Sequence, residues 1–210
     1  MAILVVEGPS AAGKTAWCQK HFAKGFVEAA PETIQAPDLF AEPRDVAAFW
    51  VEHNIRRWQR ALEIEKWESI AVCDSDPLQL YFSWAFWKTG AGDSKLFELE
   101  VALYRKAIEE QRIGFADCVV WLEAPIEELR RRAKADATRK RKHLELYLEM
   151  TPWMHAWFAA REHVLPGCAR EWTAAPRLKD IEGVPQNRRR YDVTVLDGLL
   201  AVCGGRKASS

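Results

Sequence analysis

The sequence predicts an α/β protein whose parallel sheet is covered by helices on both faces. Three observations carry that expectation. Short continuous apolar runs at residues 3–6, 70–73 and 118–122 have the length and composition of buried parallel strands. Stretches of helical period separate them, so strands and helices alternate along the chain. The first run also passes directly into Gly8-Pro9-Ser10-Ala11-Ala12-Gly13-Lys14-Thr15, a glycine-bounded turn that opens a helix.

The elements follow in order. Ile3-Leu4-Val5-Val6 is the first strand, and residues 15–24 form a helix closed by Gly25. Residues 26–29 make a brief strand that ends before Pro31. Residues 44–68 have helical period, with Val46, Phe49, Trp50, Ile55, Trp58 and Leu62 on a repeating face. Ile70-Ala71-Val72-Cys73 is a buried strand with Asp74 at its C-terminal end. Helical stretches at 78–88 and 96–110 are parted by a turn-rich segment around Gly90 and Gly92, and Cys118-Val119-Val120-Trp121-Leu122 is the third strong strand. A charged helix follows Pro125, another runs from about 143 to 161, and Val193-Thr194-Val195-Leu196 reads as the last strand. Residues 165–190, rich in Pro, Gly and charge, show no period.

At 210 residues the chain suits one well-cored domain, taken as residues 1–203 with a frayed tail at 204–210. Nearly half of it is apolar and its charges sum to zero. That balance excludes a disordered chain and argues against a protein that coats nucleic acid, which needs a basic excess. Five scattered cysteines form no zinc or redox spacing. The first apolar run is too short for a signal peptide or a membrane span, so a cytoplasmic location with no membrane or nucleic-acid partner is expected.

The turn at residues 8–15 carries the chemistry. Glycines at 8 and 13 allow backbone conformations closed to other residues, so amides from Ser10, Ala11, Ala12 and Gly13 can point inward at phosphate oxygens. The helix that follows adds its positive N-terminal end. Lys14 can reach the outer phosphates, and the Thr15 hydroxyl is placed to ligate magnesium. A nucleoside triphosphate, ATP with magnesium, is the expected ligand. Asp74 supplies the second acid such a site needs, for magnesium or for ordering water; a helix N-cap is its alternative role.

The chain has no Asn/Thr-Lys-x-Asp motif for reading guanine, and it is short for a remodelling ATPase. A compact phosphotransferase remains, and it must cover its phosphates to exclude water. The arginine-rich segment of about 127–142 suits that lid, with Arg132 and Arg139 seven residues apart on one helix face. The same run also reads as a solvated basic face.

Here a resemblance becomes specific. Val119-Val120-Trp121-Leu122-Glu123-Ala124-Pro125, followed by the arginine-rich run, resembles the strand-to-lid passage of deoxynucleoside and thymidylate kinases. Residues 144–158 are similar to the helix after the lid in deoxynucleoside kinases. The resemblance implies a three-layer P-loop fold with five parallel strands flanked by helices, a helical lid, and magnesium-ATP as donor. It also implies an acceptor pocket between the phosphate loop and residues 44–110, and a general base near the end of the second strand, either Glu28 or Glu32. The chain departs from both families at Asp74-Ser75-Asp76, where they carry an arginine at the central position. Asp76 is therefore a further candidate for substrate ligand or base. The small-molecule acceptor is a nucleoside or nucleotide by resemblance, with a specialised metabolite hydroxyl as the alternative that Ser75 raises. A non-catalytic ATP-binding switch is the competing class.

Ten tryptophans are unusual in a chain of this length. Trp50, Trp58, Trp67, Trp84 and Trp87 fall in the region expected to form the acceptor pocket, where a few could stack on an aromatic acceptor. Core packing or a homodimer interface is the plainer role for them.

Overall fold

A computed structural model describes residues 1–22, 25–29, 34–136, 142–172, 184 and 186–204. The three apolar runs become neighbouring strands at the middle of one sheet. β1 (Ala2–Glu7) lies between β3 (Ile70–Asp74) and β4 (Cys118–Leu122) and pairs in parallel with both. β2 (Phe26–Val27) extends the sheet beyond β3, and β5 (Ala169–Trp172) extends it beyond β4, both again parallel. The order β2-β3-β1-β4-β5 brings the C-terminal ends of β1, β2, β3 and β4 to one edge.

Alternation along the central strands divides the core. Ile3, Val5, Cys73, Val119 and Trp121 face one side, under α2 (Pro43–Glu68), α3 (Leu80–Lys88), α4 (Lys95–Glu109), α6 (Leu144–Val164) and α7 (Val193–Gly204). Leu4, Val6, Val72 and Val120 face the other, where Trp17 and Cys18 of α1 (Lys14–Phe22) and Leu129 of α5 (Ile126–Ala135) cover them. This is the three-layer, five-stranded parallel architecture expected. Among the described residues no helix is long and apolar enough to cross a membrane.

One element is corrected. Residues 193–196 belong to α7, and the fifth strand is Ala169–Trp172. The Asp192 carboxylate accepts from Thr194 N at 2.9 Å and caps the helix start. Val195, Leu196, Leu199 and Cys203 then recur at helical spacing and are all buried. The tail at 205–210 lies outside the described residues.

The tryptophans are largely core. Trp58, Trp84 and Trp157 are essentially inaccessible, and Trp84 meets Trp153 and Trp157 at ring distances of 5.6 Å where α3 packs on α6. Trp67 is instead exposed at the end of α2. Burial pushes the thiols of Cys73 and Cys118 up to about 12 and about 11, so both stay protonated at neutral pH.

Buried charges fasten the remaining segments. Arg190 binds Glu65 at 2.9–3.0 Å and also Asp117, whose carboxylate accepts from Ile3 N at 2.5 Å. The chain before α7 is thereby tied to α2 and to the N-terminal edge of the sheet. Arg161 of α6 binds Asp76 at 2.5 Å and the Ala116 carbonyl at 2.7 Å.

Glu100 on α4 is a different case. Among the described residues it has no cation partner, it accepts from the Ser83 hydroxyl at 2.5 Å, and burial raises its carboxyl to about 8. The folded protein therefore holds a proton there that the unfolded chain releases above about 4.5. A raised acid of this kind stabilises most fully at low pH, and that contribution is lost as pH rises toward 8. The Glu100→Gln variant should lack this loss. Its unfolding free energy in urea is expected to gain on the wild type by roughly 1 kcal/mol per pH unit between about pH 5.5 and 7.5. Parallel stability curves would refute the assignment.

Candidate functional site

The site is built at the C-terminal edge of the sheet, where β1 gives way to the loop of residues 8–13 and then to α1. Gly8 has φ +142°, and a Cβ added there would lie 2.3 Å from the Leu122 carbonyl oxygen of β4. Only glycine lets the loop pass this close to the strand. Ala11 and Gly13 then take φ values of 66° and 95°, which turn the loop back over the start of α1. Residues 10–13 and the N-terminus of α1 therefore border the same space, an arrangement suited to phosphate oxygens, with the Ala12 amide donating to the Pro9 carbonyl at 3.2 Å.

Lys14 curls over the loop and donates to the carbonyls of Gly8 at 2.7 Å and Pro9 at 3.1 Å. Its neighbour Thr15 donates through Oγ1 to Asp74 Oδ2 at 2.5 Å. Asp74 reaches this position because β3 pairs with β1 in a register that aligns it with Val6. A hydroxyl and a carboxylate side by side offer hard oxygen ligands of the kind magnesium takes while phosphates and water complete its shell. Among the described residues no cluster of three His, Cys, Asp or Glu could hold a metal by itself.

These groups open onto a cavity of about 820 Å³, lined among others by Lys14, Thr15, Glu28, Asp74, Ser75 and Arg132. Ser10, Ala11, Ala12 and Gly13 form its floor. Glu28 stands just past β2 with its side chain exposed to this space. Arg132, on α5, donates to the Ala12 carbonyl at 3.2 Å and is steadied by Glu128 at 2.7 Å. Hydrogen bonds from Arg131 and Arg132 hold the Glu128 carboxyl down near 2. Arg130 is turned elsewhere, onto Glu127 and Glu145, which leaves Arg132 as the member of 130–132 directed at the loop.

The other expected residues divide. Asp76 is withdrawn from the cavity: it is 1 % exposed, paired with Arg161, and accepts from Leu78 N at 3.0 Å. Both of its carboxylate oxygens are engaged, and it is not among the residues that line the cavity. Trp50, Trp58, Trp67, Trp84 and Trp87 do not line the cavity either, because Trp58 and Trp84 are core, Trp67 points to solvent, and Trp87 stacks on Phe97. Glu32 and Arg139 lie outside the described residues.

Two residues escaped the sequence reading. Glu7, 1 % exposed, accepts from Gly8 N at 3.1 Å and from Asp76 N at 3.0 Å, and the Tyr81 hydroxyl also reaches it. Burial pushes its carboxyl upward, against the pull of Lys14. A charged residue ending an otherwise apolar strand, one position before Gly8, was the available signal. Arg57, midway along α2, left no such trace, since an arginine on a long helix reads as surface.

No family model matches the chain, and no curated protein does. Solved structures do. A deoxyadenosine kinase from M. mycoides with bound dATP matches with a TM-score of 0.55 at 13% identity, over 86% of this chain and 94% of that one. The same kinase with products dCMP and a flexible dCDP bound gives 0.58 at 14% identity, and with bound dCTP 0.59 at 14%; each covers 85% of this chain and 93% of that one. The chain thus has the α/β fold of P-loop nucleoside kinases.

The close approach at Gly8 can be tested without any acceptor. Gly8→Ala should leave the far-UV circular dichroism unchanged and lower affinity for tripolyphosphate by about tenfold or more, since the added methyl must displace the loop. Equal affinity in calorimetric titration would show that the contact with Leu122 does not set the loop's shape.

Proposed function

We propose that this protein is a phosphotransferase that moves the γ-phosphoryl group of magnesium-ATP to a hydroxyl of a small molecule, with a nucleoside or nucleotide as the leading acceptor class. The observation that carries the proposal is the 2.5 Å bond between Thr15 and Asp74, set beneath the lysine-bearing loop and opening onto the same cavity as Glu28. A structural turn has no need of a buried strand-end acid aimed at the first helical hydroxyl. A magnesium-nucleotide site does.

In this reading Lys14 leaves the carbonyls of Gly8 and Pro9 and binds the outer phosphates, with the amides of residues 10–13 around them. Thr15 and Asp74 would hold magnesium, which when bound neutralises phosphate charge. Arg132 approaches from α5 and stabilises charge on the transferring group, a part Arg139 would share. Glu28 accepts the proton of the attacking hydroxyl. Glu32 is the alternative base.

The charge pattern favours a hydroxyl over a phosphate as the receiving group. Among the described lining residues Lys14 and Arg132 reach the phosphate loop, Asp74 is bonded to Thr15 of that loop, and Glu28 with the neutral Ser75 lies away from the two cations' hydrogen bonds. A phosphate acceptor beside Glu28 would meet a carboxylate and no arginine from position 75. Support for the nucleoside class comes from the similar fold of kinases solved with dATP, dCTP and dCMP.

Labelled ATP and magnesium with a panel of nucleosides, nucleotides and hydroxylated metabolites test the proposal. Lys14→Ala and Asp74→Asn should abolish transfer. Glu28→Gln should retain nucleotide binding and lose about 10²- to 10⁴-fold in kcat. Transfer that persists undiminished in Lys14→Ala would sink the mechanism. Nucleotide binding that alters affinity for another protein, with no acceptor phosphorylated, would favour a switch.

A further inference from the structure

We propose that Arg57, a buried residue of α2, is a positioning residue for this site: its guanidinium locks the strand ends that carry Glu28 and Asp74 into one geometry. The inference rests on the phosphotransferase reading for its meaning, while its test does not depend on finding the acceptor.

Arg57 is 4 % exposed. Its Nε donates to the Glu28 carbonyl at 2.9 Å, and one terminal nitrogen donates to the carbonyls of Asp74 and Ser75, each at 2.6 Å. The other terminal nitrogen donates to Asn54 Oδ1 at 2.9 Å. Asn54 is itself held, donating to the Tyr104 hydroxyl at 2.8 Å and to Gln79 at 3.2 Å. One planar fork thus joins the exits of β2 and β3 at the residues assigned as base and as magnesium ligand.

The energetic setting singles this residue out. The other deeply buried arginines, Arg161 and Arg190, are matched by carboxylates. The hydrogen bonds of Arg57 run, among the described residues, to three carbonyls and an amide oxygen. A buried cation held on neutral oxygens is costly compared with an apolar side chain of similar volume. The return is geometric, because a guanidinium presents several donors in fixed directions and an ammonium does not. Ser75 is held in a left-handed conformation at φ 65°, its N–H on the Val6 carbonyl at 2.9 Å and its own carbonyl on Arg57. Arg57 therefore fixes the turn that follows Asp74 as well as Asp74 itself. Phosphate-loop residues make no bond to Arg57 among those described, so its loss should spare the loop and disturb what faces it.

The test is the gain in ATP affinity that magnesium confers, measured with a fluorescent ATP analogue with and without the metal. In Arg57→Met that gain should shrink at least fivefold, toward the value in Asp74→Asn, while metal-free affinity stays within twofold of wild type. Arg57→Lys, which keeps the charge and loses the fork, should resemble Arg57→Met. In Arg57→Ala, methylguanidinium should restore part of the magnesium effect and methylammonium should not. The proposal is overturned if the magnesium effect is unchanged in Arg57→Met, if Arg57→Lys behaves as wild type, or if metal-free affinity falls in step with the magnesium-bound value. Should Arg57→Met not fold, Arg57→Lys and the rescue of Arg57→Ala decide the matter. Wild-type protein that phosphorylates no acceptor counts against the phosphotransferase reading alone.

Discussion

The site depends on a contact that excludes a side chain: the Leu122 carbonyl of β4 occupies the space where a Cβ at position 8 would sit. Because β1 lies between β3 and β4, a loop leaving β1 must clear both neighbours, and at Gly8 it does so by pressing against one of them. That contact sends the loop over the start of α1 and leaves the β3 side open. Asp74 can then meet Thr15 directly.

Beneath the loop, polar groups hold the two strand exits together without entering the cavity. Glu7 spans from Gly8 N to Asp76 N, so the first residue of the loop and the turn after β3 share one carboxylate. Asp76 passes the connection to Arg161 on α6. Arg57 does the equivalent work between β3 and β2. Burying these groups is favourable only if they find partners, and among the described residues all but Arg161 Nε do. What the network yields is a fixed separation between the strand ends whose side chains line the cavity, which is the condition for preorganised chemistry.

The sequence made some of this legible and hid the rest for physical reasons. β1, β3 and β4 announce themselves because strands buried on both faces are continuous apolar runs. β5 does not, because Ala169-Arg170-Glu171-Trp172 lies at the end of the strand order with one strand partner and carries charge. Residues 193–196 misled because four residues of β-branched and apolar character suit either a short strand or a buried helix; the deciding pattern, out to Cys203, and the Asp192 cap become clear only over twelve residues. In the site, residues 8–15 act through local backbone and could be read directly. Glu7 could be suspected from its place before Gly8, but its bond to Asp76 and those of Arg57 to Glu28, Asp74 and Ser75 span 17 to 69 residues, which no local spacing reveals. The tryptophans left two roles open, core packing as the plainer and stacking on an acceptor as the other, because one that fills a helix interface has the same sequence signature as one that stacks on a ligand.

Ser75 brings these points together. The families that the sequence resembles place an arginine at this position, facing substrate. Here the cavity wall at 75 is small and neutral, and the nearest guanidinium comes from α2, buried and bonded to the carbonyls of Asp74 and Ser75. A positive charge is therefore kept close to the same turn but turned inward, where it shapes the backbone instead of binding ligand. Two consequences oppose each other. The acceptor loses a possible anchor, and with it any advantage for a group carrying negative charge. The backbone gains rigidity at the point where Asp74 and Glu28 must agree in position, and a misplacement of about 1 Å there can cost on the order of a hundredfold in rate. Under the proposed phosphotransferase reading, an acceptor suited to this wall is one recognised by hydroxyls and shape, held close to Glu28, with Lys14 and Arg132 serving the donor.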